Sequence, residues 1–142
     1  MPLIKQAISD QEIEACFDVL HELRPHLVKG EFVKTVLHLM DSQNFSLAYL
    51  MADKTVMSVA GYRVGDWLYT GRYMEVEDLV TSHNGRSKGY GGQLFNWLVG
   101  QAKENGCKQL KLVSGVSRHD AHRFYKGKGM KHEGNYFSLT LK

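Results

Sequence analysis

Residues 75–92 read EVEDLVTSHNGRSKGYGG, and the fold turns on how this stretch is parsed. EVEDLV, residues 75–80, suits a strand, and TSHN, residues 81–84, is a polar turn. Gly85, Gly89, Gly91 and Gly92 then crowd the segment, with Arg86 and Lys88 between them. An apolar pattern of helical period follows at once, over residues 90–105. Leu94, Trp97, Leu98 and Ala102 share one side of it, and Phe95 and Val99 widen the stripe, which predicts a well-buried helix. A glycine-rich turn that carries a strand into a helix N-terminus is an anion site, because unpaired N–H groups and the positive end of the helix dipole meet there. The flanking strand and buried helix argue against a mere flexible surface turn. The spacing matches neither G-x-x-x-x-G-K-[ST] nor G-x-G-x-x-G, so the two commonest phosphate motifs are not the ones in play.

Working outward, residues 109–114 form a strand, so strand, helix and strand make a β-α-β unit with parallel strands. Gly106 suits the position after the helix end. Ser117 and Asp120 offer a capping signal before a short helix with Ala121, Phe124 and Tyr125 on one side; Gly127 and Gly129 end it. Residues 135–142 alternate, with Phe137, Leu139 and Leu141 on one side, and predict a closing strand. Upstream, residues 3–8 suit an edge strand, and Ser9 with Glu12 forms a capping box. Ile13, Cys16, Phe17, Leu20 and Leu23 then predict one helix that ends at Pro25. A second helix begins near Gly30, with Phe32, Val33, Val36, Leu37 and Met40 on one face. Residues 45–51 and 55–64 alternate as strands about the turn Ala52-Asp53-Lys54, and a third strand over residues 72–80 follows the Gly65–Gly71 loop. Short connections between these strands predict an antiparallel meander.

The chain has 142 residues, which suits one domain over residues 1–142 with a core that buries roughly 68–70% of the unfolded surface. Hydrophobic residues make up 43% and charged residues 23%, as in ordinary globular proteins. A net charge of +3 is too small to imply a nucleic-acid partner, though it favours an anionic ligand. Cys16 and Cys107 sit in apolar periodic segments, the pattern of buried thiols in a reducing compartment. With no leader and no membrane-length apolar run, the expectation is a cytoplasmic protein with no membrane partner.

Arg86-Ser87-Lys88-Gly89-Tyr90-Gly91 resembles the R/Q-x-x-G-x-G/A signature of the GCN5-related N-acetyltransferases (GNAT), and it sits between a strand and the long helix as in that family. Ala121-His122-Arg123-Phe124-Tyr125 with Gly129-Met130 is similar to the family's A-x-x-F-Y-x-x-x-G-F segment, Met130 replacing an aromatic. Glu77-Asp78-Leu79-Val80 looks like its acidic fourth strand. The resemblance covers essentially the whole chain. It implies an α/β (α+β) GNAT fold, ordered β-α-α-β-β-β-α-β-α-β around a mixed sheet of about six to seven strands. It also implies acetyl-CoA as co-substrate, an amine as acceptor, no metal, and a homodimer as in many members.

The family's chemistry, acetyl transfer to a primary amine, needs a neutral amine, a polarised thioester and a proton for the departing thiolate. The amides of Arg86, Ser87, Lys88, Gly89, Tyr90, Gly91 and Gly92 would surround the CoA pyrophosphate, where side chains at Gly89 and Gly91 would block close approach. The resemblance adds the backbone of Leu79, Val80 and Thr81 along the pantetheine arm, which requires the next strand to splay away. It also adds Arg118, which stands where many members carry Asn. Tyr125 matches the family's general acid at the CoA sulfur; Phe124 beside it already fills an apolar role. Glu75 and Glu77, two apart on a strand, face the same side, and either glutamate, or only water, would serve as base; such a pair raises one carboxyl's pKa. By the same alternation Asp78 faces away and is structural. His119 and His122, among Arg118, Asp120 and Arg123, lack a third metal ligand at fitting spacing; that cluster would lie against phosphate, solvent or an anionic group of the acceptor.

The acceptor class is the open question, since fold does not select it. The short connection at residues 27–30 leaves no large substrate domain, which favours a small-molecule amine over a protein or peptide amine. A non-catalytic acyl-CoA-binding or sensing module is the alternative on the same fold, but it would need neither Tyr125 nor the two glutamates. An RNA-binding reading of residues 85–89 would want exposed aromatics on a sheet, and here the aromatics lie in apolar runs.

Overall fold

Most of the period-two segments become a sheet, and the period-3.6 segments of residues 10–43 and 90–104 its covering helices. A computed structural model describes all residues 1–142, and the chain divides into two units, Met1–Lys111 and Leu112–Lys142. The first contains β1 (Leu3–Gln6), α1 (Asp10–Ala15), α2 (Phe17–Leu23), α3 (Lys29–Gln43), β2 (Phe45–Ala52), β3 (Thr55–Trp67), β4 (Gly71–Thr81), a 3-10 turn (His83–Gly85) and α4 (Tyr90–Glu104). β5 (Gln109–Leu112) crosses the boundary between units, and α5 (His119–Gly127) belongs to the second.

The sheet order is β1-β2-β3-β4-β5. The first three pairings are antiparallel, and β5 arrives beside β4 after the α4 crossover, which makes the sheet mixed. Asp53 and Lys54 turn the first hairpin, both left-handed with φ of 51° and 64°, as the twist-matched two-residue turn requires. One face packs Phe45, Leu47, Tyr49 and Val59 against Ile13, Phe17, Leu20, Phe32 and Val36 of the first three helices. On the other, Leu94, Phe95, Leu98 and Ala102 of α4 are buried, and Trp97 meets Tyr62 edge-on at 6.5 Å.

One register slip governs the site. Gly61 pairs with Asp78 but Tyr62 pairs with Val76, so Glu77 is the extra residue of a β-bulge in β4. Gly61 is needed there: a Cβ would fall 2.6 Å from Asp78 Oδ2 and 2.8 Å from Phe45 Cζ.

Several expectations need correction. The sheet has five strands, not six to seven, because residues 135–142 form no strand and Tyr136, Phe137, Leu139 and Leu141 are exposed. Alternation says which side of a strand would be buried, not that a neighbouring edge receives it. The helix expected from Ser9 to Pro25 is split at Cys16, whose N–H donates to Ile13 O, a tighter i−3 bond. Ser117 does not cap α5; its N-cap is Arg118, with no side-chain cap bond. No helix is long and apolar enough to cross a membrane.

Candidate active site

The glycine run takes the shape its composition demands. Ser87 (φ 65°) and Gly89 (φ 80°) are both left-handed, and Gly89 is the N-cap of α4 with no side-chain cap bond. Gln93 N–H donates to Gly89 O at 3.0 Å as the first helical bond. The amides of Tyr90, Gly91 and Gly92 therefore precede the helix's own acceptors and carry the dipole's positive end. The two signature glycines act differently. A Cβ at Gly89 would meet open space, so its constraint is the positive φ; a Cβ at Gly91 would lie 3.0 Å from Thr81 Oγ1, so its constraint is close passage over the end of β4. The approach to this turn is held by Glu22 of α2, which accepts from His83 N–H at 3.1 Å and bonds His83 Nδ1 at 3.2 Å. Arg86 stands 3.8 Å from the same carboxylate.

β4 runs eleven residues and β5 only four. Lys108 N–H donates to Arg72 O at 2.8 Å, so the two strands start together. At about 3.3 Å per residue for both, β5 ends beside the first half of β4. The peptide groups of Leu79, Val80 and Thr81 lie past its last residue, the gap an added extended ligand needs. Their inner edge is bound to β3, opposite Ala60, Val59 and Ser58. Buried Ser58 donates to Val80 O at 3.0 Å and sits 3.0 Å from Thr81 Oγ1. With its one proton committed to Val80, Ser58 accepts from Thr81.

Because of the bulge, Glu77 and Asp78 do not alternate simply, as the sequence had suggested. Asp78 packs beside Phe45 on the face of the first helices and accepts from Arg24 Nε at 2.8 Å, while Arg24 Nη2 donates to Glu77 O at 3.0 Å. Arg63 donates to both carboxylate oxygens of Glu77 and to Gln43 O. Glu75, directly opposite Arg63 in the ladder, holds Lys111 Nζ at 3.3 Å. Each carboxylate thus has its own cation, which offsets the mutual repulsion that two glutamates on one face would otherwise suffer. Sequence reasoning missed these cations: Arg24, Arg63 and Lys111 lie outside every motif; strand register brings in Arg63 and Lys111, and the packing of α2 on the sheet brings in Arg24.

In the second unit, α5 carries Tyr125, part-buried with its ring 5.4 Å from Phe124. Burial pushes the Tyr125 hydroxyl up from its ordinary value, with the Arg118 charge opposing. The histidine–arginine cluster has partners within the helix start: His122 Nε2 donates to Gly115 O at 2.8 Å, and Arg123 pairs with Asp120.

A sequence model of the Acetyltransferase (GNAT) family matches residues 10–130. The chain is 29% identical over 125 residues to the uncharacterized N-acetyltransferase YhdJ of Bacillus subtilis, covering 88% of each chain. It is 33% identical over 67 residues to the aminoalkylphosphonate N-acetyltransferase of Salmonella typhimurium, 47% of this chain and 44% of that protein. Its fold superposes on an aminoglycoside N-acetyltransferase solved in complex with CoA, with a TM-score of 0.85, 14% identity, and coverage of 100% and 96%. At that identity the likeness is one of fold.

Proposed function

The chain belongs to the GNAT acetyltransferase family, and from that premise we propose that it moves the acetyl group of acetyl-CoA onto the primary amine of a small molecule. One observation carries the reading: the uncapped, left-handed entry to α4 adjoins a length of β4 that β5 does not accompany. An anion cradle and an extended-chain edge meet there, which fits a pyrophosphate followed by a pantetheine arm. The amides from Arg86 to Gly92 take the pyrophosphate, Leu79 to Thr81 pair with the arm, and Arg118 joins the cofactor contacts.

The bound thioester supplies an acetyl carbon open to attack; the protein's residues prepare the amine and manage the protons. Glu77 receives the amine's proton through a water. Arg63 uses one acceptor position on each of its oxygens, and about two of a carboxylate's four remain. Glu75 is the second candidate for this role. As nitrogen bonds to the acetyl carbon and the C–S bond breaks, Tyr125 donates its hydroxyl proton to the sulfur; the upward shift of that hydroxyl keeps it protonated at neutral pH. The aminoalkylphosphonate and aminoglycoside enzymes named above act on small amines, which supports the same class of acceptor here.

The test mixes the protein with acetyl-CoA and amines of graded size and follows free thiol. Thiol release that depends on a small amine is the expected result. Silence across the panel despite CoA binding would mark an acyl-CoA-binding module, and release with peptide amines alone would mark a protein acetyltransferase.

A further inference from the structure

The end of the β3–β4 hairpin holds a constellation of which the reaction above calls only on Glu75, and on that only as the alternative base. Lys111 Nζ lies 4.2 Å from the ring centroid of Trp67 and 4.6 Å from that of Tyr73, and 3.3 Å from Glu75 Oε1. Two aromatic faces and one carboxylate around a point are the chemistry of an ammonium cage. The walls are fixed independently of the lysine. Trp67 Nε1 donates to Thr70 Oγ1, and Trp67 and Tyr73 pack at 5.2 Å and 52°. Gly65 leaves space that the Tyr73 ring fills, since a Cβ would fall 2.8 Å from its hydroxyl oxygen. The occupant is an ammonium on a flexible four-carbon stem. The cage also lies on β4 two residues before Glu77.

We infer that Trp67, Tyr73 and Glu75 form a binding site for the second cationic nitrogen of a diamine-class acceptor, with Lys111 filling it as an internal stand-in. Exchange of one ammonium for another keeps every interaction and the net charge of the cage, so it needs only rotation of the lysine stem. An anionic group is disfavoured at the same point by Glu75, 3.3 Å from the ammonium. The term acceptor rests on the proposed function; the cage itself does not.

The experiment separates the two. Tetramethylammonium chloride is titrated into the wild-type chain and Lys111→Ala, without acetyl-CoA and at matched ionic strength, with tryptophan fluorescence as readout. Trp67→Phe identifies the signal, Trp97 being the other tryptophan. Opening the cage should lower the half-saturating concentration roughly three- to tenfold. The kcat/KM ratio of 1,4-diaminobutane over 1-aminobutane should rise by a similar factor. Lys111→Met keeps most of the stem and serves for both measurements if the alanine variant does not fold. Equal titrations in wild type and variant overturn the cage. A tighter titration with no change in the diamine ratio upholds the ammonium site and overturns its assignment to the acceptor, and tighter binding with no acetylation of any amine overturns the proposed chemistry instead.

Discussion

Arg24 ties the last residue after α2 to the bulge of β4, and Arg24→Met tests whether that tie sets the site. Its guanidinium donates to Asp78 Oδ1 at 2.8 Å and to Glu77 O at 3.0 Å. Asp78 is only 15% exposed, against 42% for Arg24, so the variant strands a largely buried carboxylate beside Phe45. Losing a charge-assisted bond costs about 1.5–3 kcal/mol, and the exposure of Arg24 keeps the effect below the 3–5 kcal/mol typical of a fully buried pair. About 2 kcal/mol is the working figure. A chain of this length unfolds with an entropy of about 0.3 kcal/mol per kelvin, so Tm should fall by about 7 °C. The lost bond to Glu77 O also frees the bulge, so kcat should drop more than KM rises. Arg24→Met combined with Asp78→Asn should regain part of the stability, because the stranded charge is gone, but not the kcat. Circular dichroism melting and thiol-release kinetics read both effects. A Tm within about 1 °C of wild type, set against that estimate, would refute the argument that this pair anchors the bulge.

Three further outcomes follow from the geometry. Gly89→Val puts a branched residue at a φ of 80°, at about 1–2 kcal/mol or more of backbone strain, and should weaken CoA binding sharply in calorimetry; a folded variant with normal affinity would mean the pyrophosphate lies elsewhere. Tyr125→Phe should lower kcat about 10²-fold with CoA affinity kept. Since burial raises the tyrosine hydroxyl above its ordinary 10.0, the wild-type rate should decline only at pH above that value, and the variant should lack this limb; unchanged turnover removes Tyr125 from the mechanism. Glu12, bonded by Lys5 and by the N–H groups of Ser9 and Ile8, has its carboxyl lowered from 4.5 to about 2. A depressed carboxyl contributes stability above its unfolded value and loses it as pH falls through the folded one. Glu12→Gln should therefore flatten the acid unfolding curve between pH 4.5 and 2, and a curve identical to wild type would contradict that linkage.

What was legible in the sequence is what local rules govern. The Ser9–Glu12 capping box, the hairpin turn within Ala52-Asp53-Lys54, the glycine turn into α4 and Gly106 (φ 72°) after it all appear as expected. The misses arise where distant parts of the chain decide. No residue in Glu75-Val76-Glu77-Asp78 signals a bulge; it exists because β3 places Gly61 opposite Asp78 and Tyr62 opposite Val76. Arg63 and Lys111 read as ordinary surface cations until strand pairing brings each to a carboxylate, and Arg24 until α2 packs on the sheet. Residues 135–142 have the composition of a strand but form none.

The extra residue at Glu77 makes the length of β4 carry information that substitutions do not touch. Deleting one residue there would bring the two halves of the strand back into phase. Gly61 and Tyr62 alternate, and their partners Asp78 and Val76 alternate with them, so residues beyond the deletion would keep their sheet faces, Asp78 and Val80 toward the first helices and Leu79 and Thr81 on the opposite side. Replacing Glu77 changes one side chain; removing it also takes out the local bend and added twist of the bulge, while the pairing of the other β4 residues with β3 is kept. The stretch from Glu75 to Gly89 is thus one residue longer than a regular ladder needs, and that residue is the one whose carboxylate Arg63 holds.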